Sequence, residues 1–205
     1  MNRIKKQIAD IQTELEEETD NPDLWMEHGT GHHLLGEYRQ AIKSYRRSLK
    51  LREDSPVCHF NIANSFLELE KFGMAIRHYL KATELKPDHA PSLNNLADAY
   101  DQSDQPEKAL EIFQTLVRLN PDDPLSHFNL GNFHLRSSRH MDAARCYEKA
   151  LSADDSFTDA YYNIAWILKQ VDAVEEALSY ARSGLAADPD HNDLKKLAES
   201  LKDTG

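Results

Sequence analysis

The sequence is poor in the residues that build cross-linked, flexible or membrane-spanning proteins. Only 2 of its 205 residues are cysteine, and the wide separation of Cys58 and Cys146 resembles no disulfide framework, which favours a reducing compartment. With 7 glycines, 8 prolines and 40% hydrophobic residues, the composition is that of a folded helical chain. No hydrophobic run is long enough to span a membrane, and the N-terminus has no apolar segment of signal-peptide length. We therefore predict no membrane insertion and a cytoplasmic location.

Positive charge is also scarce. The chain has 24 lysines and arginines against 35 acidic residues, which gives a net charge of −11. A protein that binds nucleic acid needs a basic stripe to meet the phosphate backbone. We therefore predict no nucleic-acid partner, and a protein or peptide partner that is basic or neutral.

The most prominent feature of the sequence is a regular repeat of residue types. Alanine recurs at intervals of 34 residues, at Ala41, Ala75, Ala109, Ala143 and Ala177. A frame anchored on these alanines places a small residue at the eighth position of every copy, namely Gly29, Ala63, Ala97, Gly131 and Ala165. Four copies have an aromatic residue four positions after the alanine, namely Tyr45, Tyr79, Phe113 and Tyr147. Three copies close with proline, at Pro87, Pro121 and Pro189. Because no linker interrupts the frame, we predict one continuous array.

This pattern resembles the tetratricopeptide repeat, a 34-residue unit with a small residue where its two helices cross. The resemblance implies an all-α, right-handed superhelix (an α-solenoid) of helix–turn–helix repeats. It also implies a non-catalytic adaptor or assembly scaffold that binds other proteins. The predicted repeats are residues 22–55, 56–89, 90–123, 124–157 and 158–191. Residues 1–21 and 192–205 are predicted to form capping helices at the two ends.

Apolar spacing within the copies predicts twelve helices, two for each repeat and one for each cap. In repeat 2, one helical stripe contains His59, Ile62, Ala63 and Phe66, and a second contains Phe72, Ala75, Ile76 and Tyr79. One such pair cannot bury its own apolar face, so neighbouring pairs must stack on it. The caps have comparable stripes, Ile4, Ile8, Ile11 and Leu15 at one end and Leu194, Leu197, Ala198 and Leu201 at the other.

The predicted binding site lies on the other side of the first helix of each repeat. In the tetratricopeptide family that side lines a concave groove, so the resemblance implies a groove for a peptide or helical segment. Asparagine occupies the sixth position of repeats 2 to 5, with a spacing of 34 residues. The predicted groove residues carry amides or aromatic rings, and they are Asn61, Asn64, Asn95, Asn129, Asn132, Asn163, Phe60, Phe128, Tyr162 and Trp166.

An asparagine amide offers an acceptor and two donors, so a row of amides suits capture of an extended main chain. Aromatic rings beside the row would add apolar pockets and selectivity. The row resembles the asparagine ladder in the repeats of O-linked N-acetylglucosamine transferase. The alternative is that the asparagines only bridge neighbouring helices.

A different groove chemistry occurs in co-chaperones that grip acidic tails, and it requires basic residues to clamp two carboxylates. In this sequence only Arg136 and Lys169 are basic on the corresponding stripe. Asp98 and Asp101 on the same stripe would repel an acidic tail. We therefore predict that no such clamp is present.

Ten histidines raise the question of a metal site. His28 and His32 are one helical turn apart and His33 is adjacent, but no third ligand follows at a recognised spacing. We predict packed or hydrogen-bonded structural histidines, with no metal and no cofactor. Gly29-Thr30-Gly31 lacks the third glycine of a dinucleotide-binding loop and follows no strand. No catalytic constellation can be assembled, so we predict that the chain is not an enzyme.

A basic stripe on the second helix of repeat 1 contains Arg39, Lys43, Arg46 and Lys50, with Arg47 beside it. It is predicted to be a solvated face. The alternative is a second docking surface, which the acidic residues of the preceding helix can also neutralise, namely Glu14, Glu16, Glu17 and Glu18.

Two other functions remain open from the sequence. The chain can be a self-associating structural scaffold, that is, a homo-oligomer, or a regulatory subunit of an enzyme complex. A metal-dependent enzyme is a third, more distant reading.

Overall fold

The computed structural model describes residues 2–202, which divide into two compact units, residues 2–112 and residues 113–202. These residues form twelve α-helices and no strand. The predicted all-α class and the predicted number of helices are therefore confirmed for the described part of the chain. No helix within residues 2–202 is both long enough and apolar enough to cross a membrane.

The first unit begins with the capping helix α1 (Asn2–Glu17), which packs on α2. Two helix pairs follow, α2 (Pro22–Leu34) with α3 (Tyr38–Leu51), and α4 (Pro56–Leu67) with α5 (Phe72–Leu85). Helix α6 (Ala90–Gln102) packs on α5, and α7 (Pro106–Leu119) contains the boundary between the units. Ile11 and Leu15 of α1 are buried, as expected of a helix that covers the first repeat.

The second unit contains two further pairs and the second cap. Helix α8 (Pro124–Arg136) packs on α9 (His140–Ala153), and α10 (Thr158–Gln170) packs on α11 (Val174–Ala187). Helix α12 (Asn192–Lys202) packs on α11 and α10. Its predicted apolar stripe, Leu194, Leu197, Ala198 and Leu201, is buried. Residues 203–205 of the predicted cap lie outside the described residues.

The starts of the first helices of the repeats are set by local signals. They begin at Pro22, Pro56, Ala90, Pro124 and Thr158, at intervals of 34 residues. Three of them have proline at the first helical position, where the missing N–H costs no intrahelical bond. The residue before each of these prolines (asparagine, serine or aspartate) accepts hydrogen bonds from main-chain N–H groups of the first turn.

The turn inside each helix pair has the same backbone conformation in all five repeats. The φ angle is positive at Gly36 (76°), Glu70 (55°), Asp104 (59°), Ser138 (57°) and Asp172 (61°), which lie at one repeat position. The next residue donates its N–H to a carbonyl five residues earlier; Lys71, for example, bonds Phe66 at 2.8 Å. Glycine supplies this left-handed conformation only in repeat 1, so the other four turns hold it at a steric cost.

The small residues at the eighth repeat position allow the two helices of a pair to approach closely. A Cβ atom on Gly29 would lie 2.6 Å from the ring of Tyr45, and one on Gly131 would lie 2.6 Å from the ring of Tyr147. The other three copies use alanine, which is fully buried at each of these positions. The predicted close crossing is therefore confirmed in the helix pairs that contain glycine.

Candidate protein-binding site

In the first unit, Asn64 is the acceptor at the centre of a small hydrogen-bond network. Its Oδ1 atom accepts from the hydroxyl of Tyr79 at 2.5 Å and from the Nδ2 amide of Asn95 at 2.9 Å. Burial raises the pKa of Tyr79, and the Asn95 amide opposes this shift more weakly. The phenol is therefore protonated and acts as a donor. Both acceptor positions of the Asn64 oxygen are occupied, and the network ties α4 to α5 and α6.

The second unit repeats this arrangement. The Oδ1 atom of Asn132 accepts from the hydroxyl of Tyr147 at 2.8 Å and from the Nδ2 amide of Asn163 at 3.5 Å. Burial is again the main reason that the pKa of Tyr147 is raised. The longer amide contact makes the link from α8 to α10 weaker than its counterpart in the first unit.

The tyrosine hydroxyls are the part of this network that sequence reasoning missed. In repeat 1 the hydroxyl of Tyr45 donates to Oγ1 of Thr30, which is the ninth residue of its repeat, at 3.3 Å. Repeat 3 has Phe113 in place of the tyrosine and Asp98 at the ninth position. A tyrosine in the second helix therefore accompanies an uncharged acceptor in the first helix. This pairing of residue types between repeats of one chain was the signal available in the sequence.

The asparagines at the sixth repeat position differ in how their amides are used. Asn61 is half-buried, and its side chain makes no hydrogen bond with another residue of the described range 2–202. Asn95 and Asn163 each donate an N–H to the ninth-position asparagine of the preceding repeat. Their Oδ1 atoms accept no bond from the described side chains or main chain. Asn129 is half-buried at the equivalent place in the second unit.

Two of the predicted aromatic residues are partly covered by rings of their own unit. Phe60 contacts Tyr79 and His89, with centroid distances of 6.1 Å and 5.4 Å. Phe128 contacts Tyr147 and Phe157 at 5.5 Å and 4.9 Å. Each ring remains half-buried, so part of its surface is open to a partner.

The other two predicted aromatic residues belong to α10. The ring of Tyr162 stacks on His191 at a centroid distance of 6.2 Å, and Trp166 meets His140 edge-on at 6.1 Å. Both are half-buried. The predicted site residues therefore fall into two sets. Phe60, Asn61, Asn64 and Asn95 lie in the first unit, and Phe128, Asn129, Asn132, Tyr162, Asn163 and Trp166 lie in the second. We call the side of the first helices that carries these residues the first-helix face.

The histidines that suggested a metal site are engaged in hydrogen bonds. Their Nδ1 atoms meet Ser44 Oγ for His28 (2.9 Å), Glu37 Oε2 for His32 (2.6 Å) and Ser65 Oγ for His33 (2.9 Å). Burial lowers the pKa of His28 and of His33, so both rings are neutral at pH 7. Within residues 2–202 no group of three or more metal-ligating side chains is assembled.

The two cysteines are unpaired; Cys58 is buried and Cys146 is half-buried. The thiol of Cys58 donates to the carbonyl oxygen of Tyr45 at 3.1 Å, and burial raises its pKa to about 11. Burial also raises the pKa of Cys146. Since a nucleophilic cysteine requires a thiolate, neither side chain is activated for attack at neutral pH.

Known proteins share both the repeat and the fold. Family models of the tetratricopeptide repeat match residues 29–56, 66–127 and 128–192. No protein with a curated description matches the sequence.

Three solved structures illustrate the shared fold. YrrB, described as a TPR protein with an unusual peptide-binding site, is 20% identical, with 94% of this chain and 97% of that chain covered and a TM-score of 0.64. PilF of Pseudomonas aeruginosa is 16% identical, with 97% and 90% covered and a TM-score of 0.72. MamA of Desulfovibrio magneticus RS-1, from residue 41 onwards, is 13% identical, with 83% and 97% covered and a TM-score of 0.69.

Proposed function

Because the chain belongs to the tetratricopeptide repeat family, we propose that it is a non-catalytic interaction scaffold that binds a segment of a partner protein on its first-helix face. One observation carries this proposal. Half-buried asparagine amides with unused acceptor atoms lie on the same helices as half-buried aromatic rings, and they do so in both units. A surface of this kind offers polar groups for a main chain and apolar area for side chains.

The tyrosine–asparagine networks contribute by orienting the binding amides. Asn64 holds the carboxamide of Asn95, and Asn132 holds that of Asn163. A fixed carboxamide loses less side-chain entropy when a ligand binds, so more of the hydrogen-bond energy appears as affinity. In this proposal Asn95 and Asn163 have two roles: the Nδ2 atom bonds the ninth-position asparagine of the preceding repeat, and the Oδ1 atom binds the ligand.

The different roles of the asparagine amides and the aromatic rings predict the kind of ligand. The Oδ1 atoms of Asn95 and Asn163 accept main-chain N–H groups, and the amide of Asn61 both donates and accepts. Main-chain contacts of this kind do not depend on the ligand sequence, so selectivity falls to Phe60, Phe128, Tyr162 and Trp166. Peptide binding by the structurally similar YrrB supports a peptide as the ligand class.

The test starts from the whole chain and a displayed library of random peptides. Peptides selected on the immobilised protein are labelled, and their affinities are measured by fluorescence anisotropy. The triple variant Asn61→Ala, Asn95→Ala, Asn163→Ala is expected to weaken binding at least about tenfold, since each of the three lost hydrogen bonds contributes about 0.5–1.5 kcal/mol. The control is Asn120→Ala with Asn192→Ala, because both asparagines are exposed outside the first-helix face.

The outcome that contradicts the proposal is unchanged affinity in a triple variant that keeps the wild-type helical circular dichroism. Sedimentation of the chain alone tests the competing function, which is self-association into a homo-oligomer. An oligomer that dissociates in the triple variant, with no peptide selected, would identify the first-helix face as a self-association surface.

A further inference from the structure

Helix α3 concentrates positive charge on a chain whose net charge is −11. Five exposed cations occur within twelve residues of this helix: Arg39, Lys43, Arg46, Arg47 and Lys50. We call them the α3 basic face. None of the five forms an ion pair with a described acidic residue, whereas the neighbouring Arg52 binds Asp23 at 2.8 Å. Within residues 2–202 the α3 basic face therefore has no ion-pair partner, although the guanidinium of Arg46 lies over the ring of Phe66 at 5.9 Å.

The acidic end of α1 does not neutralise this face. Glu14, Glu16, Glu17 and Glu18 are all exposed, and within residues 2–202 none of them pairs with a cation of α3. Glu18 instead accepts a hydrogen bond from the side chain of Asn21 at 3.0 Å. Among residues 2–202 these glutamates therefore form no ion pair that would neutralise the cations of α3, an alternative that the sequence left open.

A cavity of about 500 Å³ adjoins the α3 basic face, and it lies entirely in the first unit. Its lining is Trp25, Lys43, Ser44, Arg46, Arg47 and Lys50. The indole N–H of Trp25 donates to the carbonyl oxygen of Thr19 at 2.8 Å, which holds the ring in place. An aromatic wall beside four cations suits a ligand whose anionic groups are carried on short apolar stems, and glutamate side chains have this form.

We propose that the α3 basic face and Trp25 form a second docking site, and that its ligand is a short glutamate- or aspartate-rich segment of another protein. The arginine guanidinium groups bind carboxylates in a bidentate manner. Arg39 and Lys50 are eleven residues apart, or about 16 Å along a helix. A segment of about five extended residues matches that length.

The charge of the rest of the molecule favours a short acidic segment over an extended polyanion. Nucleic acid or an anionic membrane would bring negative charge close to the acidic end of α1 as well as to α3. A segment of five residues engages the α3 basic face alone and avoids that repulsion. The site is separate from the first-helix face. A negative result for the acidic segment would therefore leave the proposed function unaffected.

The experiment uses the full chain and a dye-labelled hexaglutamate peptide, with hexaglutamine as the neutral control. Binding is followed by anisotropy at low and at physiological ionic strength. The double variant Lys43→Glu, Arg47→Glu is expected to weaken binding about tenfold, because each substitution replaces an attraction with a repulsion. The matched control is Arg77→Glu with Arg182→Glu, two exposed cations elsewhere whose reversal changes the net charge equally.

Binding that weakens with salt, is lost selectively in Lys43→Glu, Arg47→Glu and alters the emission of Trp25 supports the proposal; a Trp25→Phe variant assigns that emission change. Three results would overturn it. The first is that the wild-type protein binds hexaglutamate no better than hexaglutamine. The second is that Arg77→Glu, Arg182→Glu loses as much affinity as Lys43→Glu, Arg47→Glu. The third is that phosphatidylserine vesicles or duplex DNA bind the protein more tightly than the peptide does.

Discussion

Replacing Gly131 with alanine is expected to destabilise the second unit, although alanine is the better helix former. Gly131 is buried in α8, and an added Cβ atom would lie 2.6 Å from Cε1 and 2.8 Å from Cδ1 of Tyr147. Tyr147 is itself 0% exposed, and its hydroxyl is bonded to Asn132. The ring therefore cannot turn aside without breaking that bond or displacing its neighbours.

The magnitude follows from two opposing terms. Carbon atoms pack best about 3.5–4.0 Å apart, so the added methyl is about 1 Å too close. Overpacking of this kind costs about 1–3 kcal/mol, and the change from glycine to alanine in a helix returns about 1 kcal/mol. The net of the two is about 0–2 kcal/mol, so we expect Gly131→Ala to lower the free energy of unfolding by up to about 2 kcal/mol.

Gly73→Ala is the matched control because it separates the steric term from the helix-propensity term. Gly73 is exposed in α5, and a Cβ atom placed on it has no neighbour within 4 Å. This variant is expected to be more stable than the wild type by about 0.5–1 kcal/mol. Urea unfolding followed by circular dichroism measures both changes. Equal stabilisation by the two substitutions would refute the close contact between α8 and Tyr147.

Three further predictions concern a turn, a hydrogen-bond network and the partly buried His78. Ser138→Gly is expected to raise the free energy of unfolding by about 1 kcal/mol in urea, since Ser138 holds the left-handed φ angle that Gly36 adopts at the same repeat position; an unchanged urea midpoint would contradict this. Tyr79→Phe removes a donor to Asn64 and is expected to lower that energy by about 1 kcal/mol, again by urea unfolding. Burial lowers the pKa of His78 from 6.5 to about 4, so its neutral form stabilises the fold fully above pH 6.5, and this contribution is lost as the pH falls towards 4. Because the ring is only partly buried, solvent screens part of this effect. Between pH 7 and pH 5 the free energy of unfolding of the wild type should therefore fall by about 1 kcal/mol more than that of His78→Gln, and equal losses would contradict the lowered pKa.

The helix pairs were predictable because their signals act over short distances. Proline at Pro56 and at Pro124 marks a helix start through local backbone geometry. The turn at Gly36 was also predictable, since glycine adopts a positive φ angle at no steric cost. The same conformation at Glu70 was not, because nothing in that residue type indicates it. It accompanies the hydrogen bond from the N–H of Lys71 to the carbonyl oxygen of Phe66, which closes this turn between α4 and α5.

The sequence placed the predicted groove asparagines on the first helices of the repeats, but it did not indicate how their amides are bonded. The spacing of 34 residues selected the sixth-position asparagines, but it did not indicate that Asn95 bonds Asn64, which lies 31 residues earlier in sequence. Whether an amide faces solvent or another side chain depends on where folding places the second partner. The hydroxyl of Tyr79 reaches Asn64 from the second helix of the same repeat, and it decides that the Asn64 oxygen is an internal acceptor.

The sequence alone determined the repeat length, the helix pairs and the small residues at their crossings, because these depend on periodicity and on steric size. Only the tertiary structure decided which polar groups are already paired. Among residues 2–202 it left the cations of the α3 basic face without an acidic ion-pair partner, and it gave the Asn64 oxygen two donors. The physical reason is that a hydrogen bond or an ion pair requires a separation of a few ångströms, and only folding sets that distance for residues far apart in the chain.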